Sequence, residues 1–373
     1  MKITFVIQDL FQQGAQYVTA LMIRGFIEKG YEVDLIVSHI HAKLLSEGEI
    51  KPFEVPSKTN IIILKNDKAR NNIIRLRRYL KKTNSYAIIA MSPNYMWALA
   101  LASVGLCNKP LLAYVEHSGF ISSPKLQKKT ILNISWWKSK FLASQYPVIM
   151  AVSKGTAHAV EKELGLKEGQ VKIVYNPVID DLYYTKLNSN TQHPWLKNKT
   201  MPTFIAAGAH CELKGHLMLF EAIRLANKRK PVRLVLYGKG YLTTKYLEWI
   251  KENNMSNFID ISSFTNNLPA ELKSADALII SSFAESFSIV LVEAMAAGTP
   301  IISTNCKYGP PELLEYGKYG KLVPVGDAQA MANAIVEHTL NRIPTAPEAA
   351  WKKFSLNRVV EAYEQALKIN KHL

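Results

Sequence analysis

Glu285 and Glu293 are the residues whose type and spacing first suggest chemistry. They stand in the stretch LIISSFAESFSIVLVEAMAAGTPIISTNCKYGPPELL, residues 278–314. Ionised carboxylates only accept hydrogen bonds, so a pair of them suits a ligand rich in hydroxyl groups. The apolar run Ala277–Ile280 predicts a buried strand. A helix is expected from Glu285-Ser-Phe-Ser onward, with Ile289, Val292 and Ala296 on one face, and Gly298-Thr-Pro stops it. A strand that runs into a helix N-terminus makes an anion site, because unpaired N–H groups and the helix dipole point the same way. The backbone of Ser286, Phe287, Ser288 and Ile289 is therefore expected to hold a phosphate. Two acids that far apart on a helix lie about 80° from each other and roughly two turns apart. They would reach the two ends of an elongated ligand.

The preceding chain supplies the elements that such a site needs. Ile3–Ile7 reads as a strand, followed by a loop with Gly14 and an amphipathic helix to about Lys29; Tyr31–Ser38 is the second strand. This unit opens a doubly wound domain. Ile61–Leu64, Ala87–Ala90 and Leu111–Val115 are expected as further strands, and Glu116-His117 stands where open α/β sheets bind ligands, at a strand's C-terminal end. Residues 181–200 are polar and aperiodic and are expected as a linker. The expected division is a first domain over 1–180 and a second over 201–355. A C-terminal helix near 356–371 is expected to cross back onto the first.

With 373 residues the chain can build two cores. It has no apolar run of membrane-spanning length, and MKITFVIQDL is too polar for a signal peptide. Its three cysteines lack metal-ligand spacing, so reduced thiols and no bound metal are expected. The net charge of +16 is uneven: residues 1–176 hold 24 Lys and Arg against 12 acids. Lys65–Lys82 carries eight bases and one acid. From His117 to Val160 there is no acid at all, and Lys125, Lys128 and Lys129 stand close to Trp136 and Trp137. Cations beside tryptophans suit an anionic membrane surface. No nucleic-acid motif accompanies the charge, so nucleic acid is not an expected partner.

The wording around the two acids is more specific than their spacing. Glu285-x7-Glu293 with Ser-Phe-Ser between, then EAMAAGTP and GPPELL, resembles the donor-binding signature of retaining glycosyltransferases of family 4. That resemblance implies the GT-B fold: two facing Rossmann-like, doubly wound α/β domains with a donor cleft between them. Gly208-Ala-His-Cys-Glu-Leu-Lys214-Gly215 resembles the family's G-R-L-x-x-x-K-G, with Ala209 where the family has Arg. Gly14 resembles the second glycine of a first-domain turn near the donor phosphates, and Gly238 the turn beside the nucleotide base. The resemblance implies that Glu285 contacts the donor sugar, Glu293 the ribose and Lys214 the diphosphate, with His117 directed at the sugar.

The function then expected is metal-independent, retaining transfer of a hexose or N-acetylhexosamine. The donor would be a nucleotide sugar, UDP-linked by family frequency, with GDP-mannose second. The acceptor would be a lipid-linked or lipopolysaccharide-type glycan at the cytoplasmic face of the inner membrane. Three departures from the family pattern, at Ala209, Ser286 and the residue before Gly14, keep open a non-catalytic GT-B partner. A GT-B nucleotide-sugar epimerase is a further alternative.

Overall fold

Short runs of β-branched and aliphatic residues alternate with helical segments along the described residues, a pattern that favours parallel strands joined by helical crossovers. A computed structural model describes residues 1–11, 14–47, 53–117, 136–263 and 265–369. The chain forms two units: Met1–Pro177 with the C-terminal segment from Leu356, and Val178–Ser355.

The first unit holds β1 (Lys2–Val6), β2 (Glu32–Val37), β3 (Asn60–Ile63), β4 (Ala87–Ala90), β5 (Leu111–Glu116), β6 (Val148–Ala151) and β7 (Lys172–Ile173). Its seven-stranded sheet runs in the order β3-β2-β1-β4-β5-β6-β7, every pair parallel. The strand order reverses between β1 and β4, which share register from Ile3 opposite Ala87 to Val6 opposite Ala90. β1 and β4 are buried almost throughout because helices cover both faces. The Gly14–Glu28 helix packs against the C-terminal Leu356–Ala366 helix. A Cβ on Gly25 would lie 2.6 Å from Val360 Cγ2, so only glycine admits this approach. Glu364 accepts from Lys29 Nζ at 2.9 Å and from Tyr31 Oη at 2.7 Å, fixing the same junction.

The second unit holds β8 (Thr203–Ala207), β9 (Arg233–Tyr237), β10 (Ile259–Ser262), β11 (Leu278–Ile280), β12 (Ile301–Thr304) and β13 (Lys321–Val323). Its six strands lie in the order β10-β9-β8-β11-β12-β13, again all parallel. Here the order reverses between β8 and β11. Sequence patterning did not reveal β13, whose residues KLV are too few for a periodic signal.

Residues 181–200 fold as two short helices, Asp181–Leu187 and Pro194–Lys197. The first is capped by Asp180, which accepts from Tyr183 N at 2.8 Å. Both belong to the second unit: Tyr183 Oη donates to Glu293 O at 2.7 Å, and Gln192 N to Glu271 Oε1 at 2.7 Å. Side chains at both ends make the stretch polar, yet those polar atoms are its anchors. Val178 N donates to Phe354 O at 2.9 Å, so the segments entering and leaving this unit run side by side.

Candidate active site

In open α/β sheets, ligands bind outside the carboxyl ends of the strands where the strand order reverses. Each unit presents polar groups at that place.

In the second unit, β8 leads into Gly208 and a short turn brings Lys214 back over the sheet. The turn depends on Gly215, whose φ of +63° is left-handed and whose added Cβ would lie 2.2 Å from Ser281 O. From there the His216–Asn227 helix begins. Lys214 Nζ donates to Glu285 Oε1 at 2.6 Å, and Ser282 Oγ donates to the same oxygen at 2.8 Å. Burial opposes the charge on Lys214, but the adjoining Glu285 carboxylate outweighs it and holds the ammonium above its usual range. Gly208 lies flat against the methylenes of Lys214, with a built Cβ 3.4 Å from Cε. Gly238 sits behind Gly208, its own built Cβ only 2.0 Å from Gly208 O. A cavity of about 10 Å³ beside Lys214, His216, Ser282, Glu285 and Val290 has room for about one water.

The helix after β11 begins at Ile289 and not at Glu285. Glu285, Ser286 and Phe287 form an irregular approach, and Ser288 precedes the helix with φ +83°. Glu285 and Glu293 therefore do not share a helix, and the 80° relation expected for them does not apply. Phe287 is 1% exposed and packs edge-on against Phe354, ring centres 5.4 Å apart. Its side chain supports the turn from within, which leaves only its backbone for a ligand. Ser288 Oγ is buried without a hydrogen-bond partner among the described residues. Glu293 stands one turn into the helix, and burial pushes its carboxyl up to about 7, with Lys186 pulling the other way.

The missing guanidinium at Ala209 has no substitute in His210. That ring is fully buried, its Nδ1 lies 2.7 Å from Thr243 Oγ1, and it packs on His216 and Tyr246. Burial lowers its pKa, so it is a neutral packing group. Lys239 is exposed on the following turn.

In the first unit, the β1, β4 and β5 ends open a separate cavity of about 250 Å³. Gln8, Asp9, Gln16, Ser92, Glu116 and His117 supply its polar lining. His117 has both ring nitrogens buried, with the Asn176 side chain beside them as a hydrogen-bonding neighbour. Burial lowers its pKa to about 4, the Asn176 side chain acting in the opposite direction, so the imidazole is neutral at pH 7. Gly14 is the exposed first residue of its helix, one position before the lining residue Ala15. Gln16 and Ser92 were not singled out by sequence patterning; Ser92 lies just past the end of β4, and Gln16 is a buried polar residue in the first turn of the Gly14–Glu28 helix.

Lys125, Lys128 and Lys129 lie outside the described residues. Trp136 and Trp137 open the Trp136–Gln145 helix. Among the described residues no three His, Cys, Asp or Glu are grouped to hold a metal ion, and no helix is long and apolar enough to cross a membrane.

Two family models match the chain: Glycosyltransferase Family 4 over residues 13–182 and Glycosyl transferases group 1 over residues 201–341. The N-acetyl-alpha-D-glucosaminyl L-malate synthase of Bacillus anthracis is 24% identical over 60% of this chain and 60% of its own length. A Campylobacter jejuni enzyme, N-acetylgalactosamine-N,N'-diacetylbacillosaminyl-diphospho-undecaprenol 4-alpha-N-acetylgalactosaminyltransferase, is 27% identical over 52% of each chain. The match thus spans about half to three-fifths of these two relatives. Among solved structures, Anabaena Alr3699/HepE, in complex with UDP and glucose, aligns over 99% of both chains with a TM-score of 0.75 and 20% identity. With both units matched in sequence and the whole chain matched in fold, the protein belongs to the family 4 glycosyltransferases of GT-B architecture.

Proposed function

We propose that the protein moves a hexose or N-acetylhexosamine, with retention and without a metal, from a UDP-sugar to a lipid-linked or lipopolysaccharide-type glycan at an anionic membrane surface. The observation that carries the donor half is the Lys214–Glu285 contact at the β8/β11 switch point. It sets a cation for phosphate and a carboxylate for sugar hydroxyls side by side, as a sugar diphosphate requires. UDP as the carrier is supported by the UDP-bound Anabaena neighbour. The undecaprenol-linked substrate in the Campylobacter relative's name supports the acceptor class.

In this reading Lys214 and the backbone leading into Ile289 hold the diphosphate, and Glu293 accepts from the ribose hydroxyls. The bond between the sugar C1 and the phosphate oxygen breaks, its electron pair leaving on the β-phosphate. The acceptor oxygen bonds to C1 from the same face, and its proton passes to that departing phosphate. Lys214 favours the step because negative charge grows on the oxygen beside it. His117, neutral, orients sugar hydroxyls and takes no proton.

The membrane half rests on charge. Arg70, Ile74, Arg78 and Lys81 stand exposed along one face of the segment leading into and through the Ile73–Lys82 helix, with Ile74 69% exposed. None of the bases between Lys65 and Lys82 forms an ion pair among the described residues. An unpaired basic row around an apolar residue suits anionic lipid.

Product analysis tests the whole reading: the full chain is given UDP-sugars and an undecaprenyl-diphosphate-linked glycan, with EDTA present. A lipid product lengthened by one α-linked sugar is expected. UDP release with no lengthened product would sink the acceptor class, and neither event would favour the non-catalytic reading.

A further inference from the structure

Each of the two sheets has two outer strands, and an outer strand invites a further one unless charge or proline guards it. β7 carries Lys172, β10 carries Asp260 and β13 carries Lys321. β3, the remaining outer strand, reads Asn-Ile-Ile-Ile and has neither charge nor proline. Ile61 and Ile63 are 43% and 46% exposed, while Ile62 packs against the core. Leu64 N donates to Val37 O of β2 at 2.8 Å. Backbone groups alternate in direction along a parallel strand, so Asn60 and Ile62 face β2 as Leu64 does. The N–H and C=O of Ile61 and Ile63 therefore face outward, and among the described residues no strand lies on that side.

We infer that β3 is the seam of a two-fold homodimer, pairing antiparallel with β3 of a second copy about an axis at Ile62. Ile61 then lies opposite the partner's Ile63. Both face outward, so each donates to and accepts from the other, as directly opposed residues of an antiparallel ladder do. The axis repeats the pair at Ile63 and the partner's Ile61. The exposed side chains of both pairs meet across the seam, which favours β-branched residues. Lys58 and Lys65 flank the strand, and in this register they face the partner's Asn66 and the partner's Thr59, so no like charges are opposed. This self-complementarity is what names a second copy as the occupant. The axis also closes the contact, so assembly ends at a dimer and does not run on into a fibre.

Sedimentation velocity on the full chain tests the seam, and reversible dimerisation in the micromolar range is expected. Ile61→Lys sets a cation against the partner strand and should weaken association about tenfold or more. Ile74→Lys makes the same change at an exposed isoleucine outside the strand and should leave association unchanged. Circular dichroism checks that both variants are folded.

The register has its own test, independent of those variants. Cys107, the exposed thiol, is first replaced by serine. In that background Ile62→Cys should form a disulfide across the axis under mild oxidation, because opposed residues that do not bond to each other bring their Cα atoms to about 4.5 Å. Cys107→Ser alone should form none. A monomer at every concentration up to about 100 µM, undiminished association of Ile61→Lys, equal loss in both lysine variants, or a dimer in which Ile62→Cys forms no disulfide would overturn the inference.

Discussion

Lys214 Nζ and Glu285 Oε1 lie 2.6 Å apart, and the pair is held on both sides: Ser282 Oγ shares the carboxylate oxygen, and Gly208 supports the lysine stem. Each is the other's charge partner before any ligand arrives. Removing one partner of such a pair strands the other, whereas removing both costs far less. Lys214→Met is expected to lower the unfolding free energy by about 3 kcal/mol. The double variant Lys214→Met/Glu285→Leu should recover most of that loss, yet neither should transfer sugar. Urea unfolding alongside a UDP-release assay separates the two effects, and an equally unstable double variant would contradict the pairing.

The turn that delivers Lys214 gives a second expectation. Gly215 and Gly165 share a φ of +63°, but a Cβ on Gly165 meets nothing within 4 Å while one on Gly215 strikes Ser281 O. Gly165→Ala should cost about 1 kcal/mol, the price of a left-handed alanine alone. Gly215→Ala should cost clearly more and abolish donor binding. Similar melting losses for the two would show that the turn is not tightly seated.

Glu293 sets a pH dependence. Its carboxyl is raised to about 7 by burial, above the ordinary range near 4.3. The folded state therefore binds this proton more tightly than the unfolded chain does. The contribution is present at low pH and is lost as pH rises from the unfolded value towards 7. Only the ionised form accepts from both ribose hydroxyls, so UDP affinity should rise as pH passes from 6 to 8. Glu293→Gln should flatten both profiles, measured by calorimetry and by urea unfolding across pH. A UDP affinity independent of pH in the wild type would count against the ribose assignment.

Vesicle flotation addresses the basic face. Ile74→Glu and Arg78→Glu should each reduce binding to phosphatidylglycerol vesicles several-fold, and added salt should weaken wild-type binding. Binding to uncharged phosphatidylcholine at the same strength would remove the electrostatic basis.

Much of this fold was legible in the sequence because parallel strands buried on both faces read as continuous apolar runs. The runs at β1, β4, β5 and β11 fall within a residue or two of their expected places. The start of the Ile289–Ala296 helix was not legible. Ser288 adopts φ +83° and Phe287 turns inward onto Phe354, and both are tertiary choices that periodicity does not encode. Residues 181–200 looked like linker because their anchors are polar side chains bonded to distant positions, among them Glu271 and Asn267. Of the first-unit cavity only the Glu116-His117 corner was legible, for a similar reason. Gln16 comes from the helix after β1, Ser92 and His117 from the ends of β4 and β5, and the three meet only once β1, β4 and β5 are side by side.

The most direct test is a thermal-shift series with UDP, GDP, ADP and CMP on the full chain and on Lys214→Met. A ligand at a hundredfold excess over its Kd adds about 2.7 kcal/mol, or about 5–10 °C for a unit of this size. The account predicts a rise with UDP that the other nucleotides do not match and that Lys214→Met abolishes. No rise with any nucleotide, or a UDP rise unchanged in the variant, would contradict the placement of the donor at the Lys214–Glu285 pair.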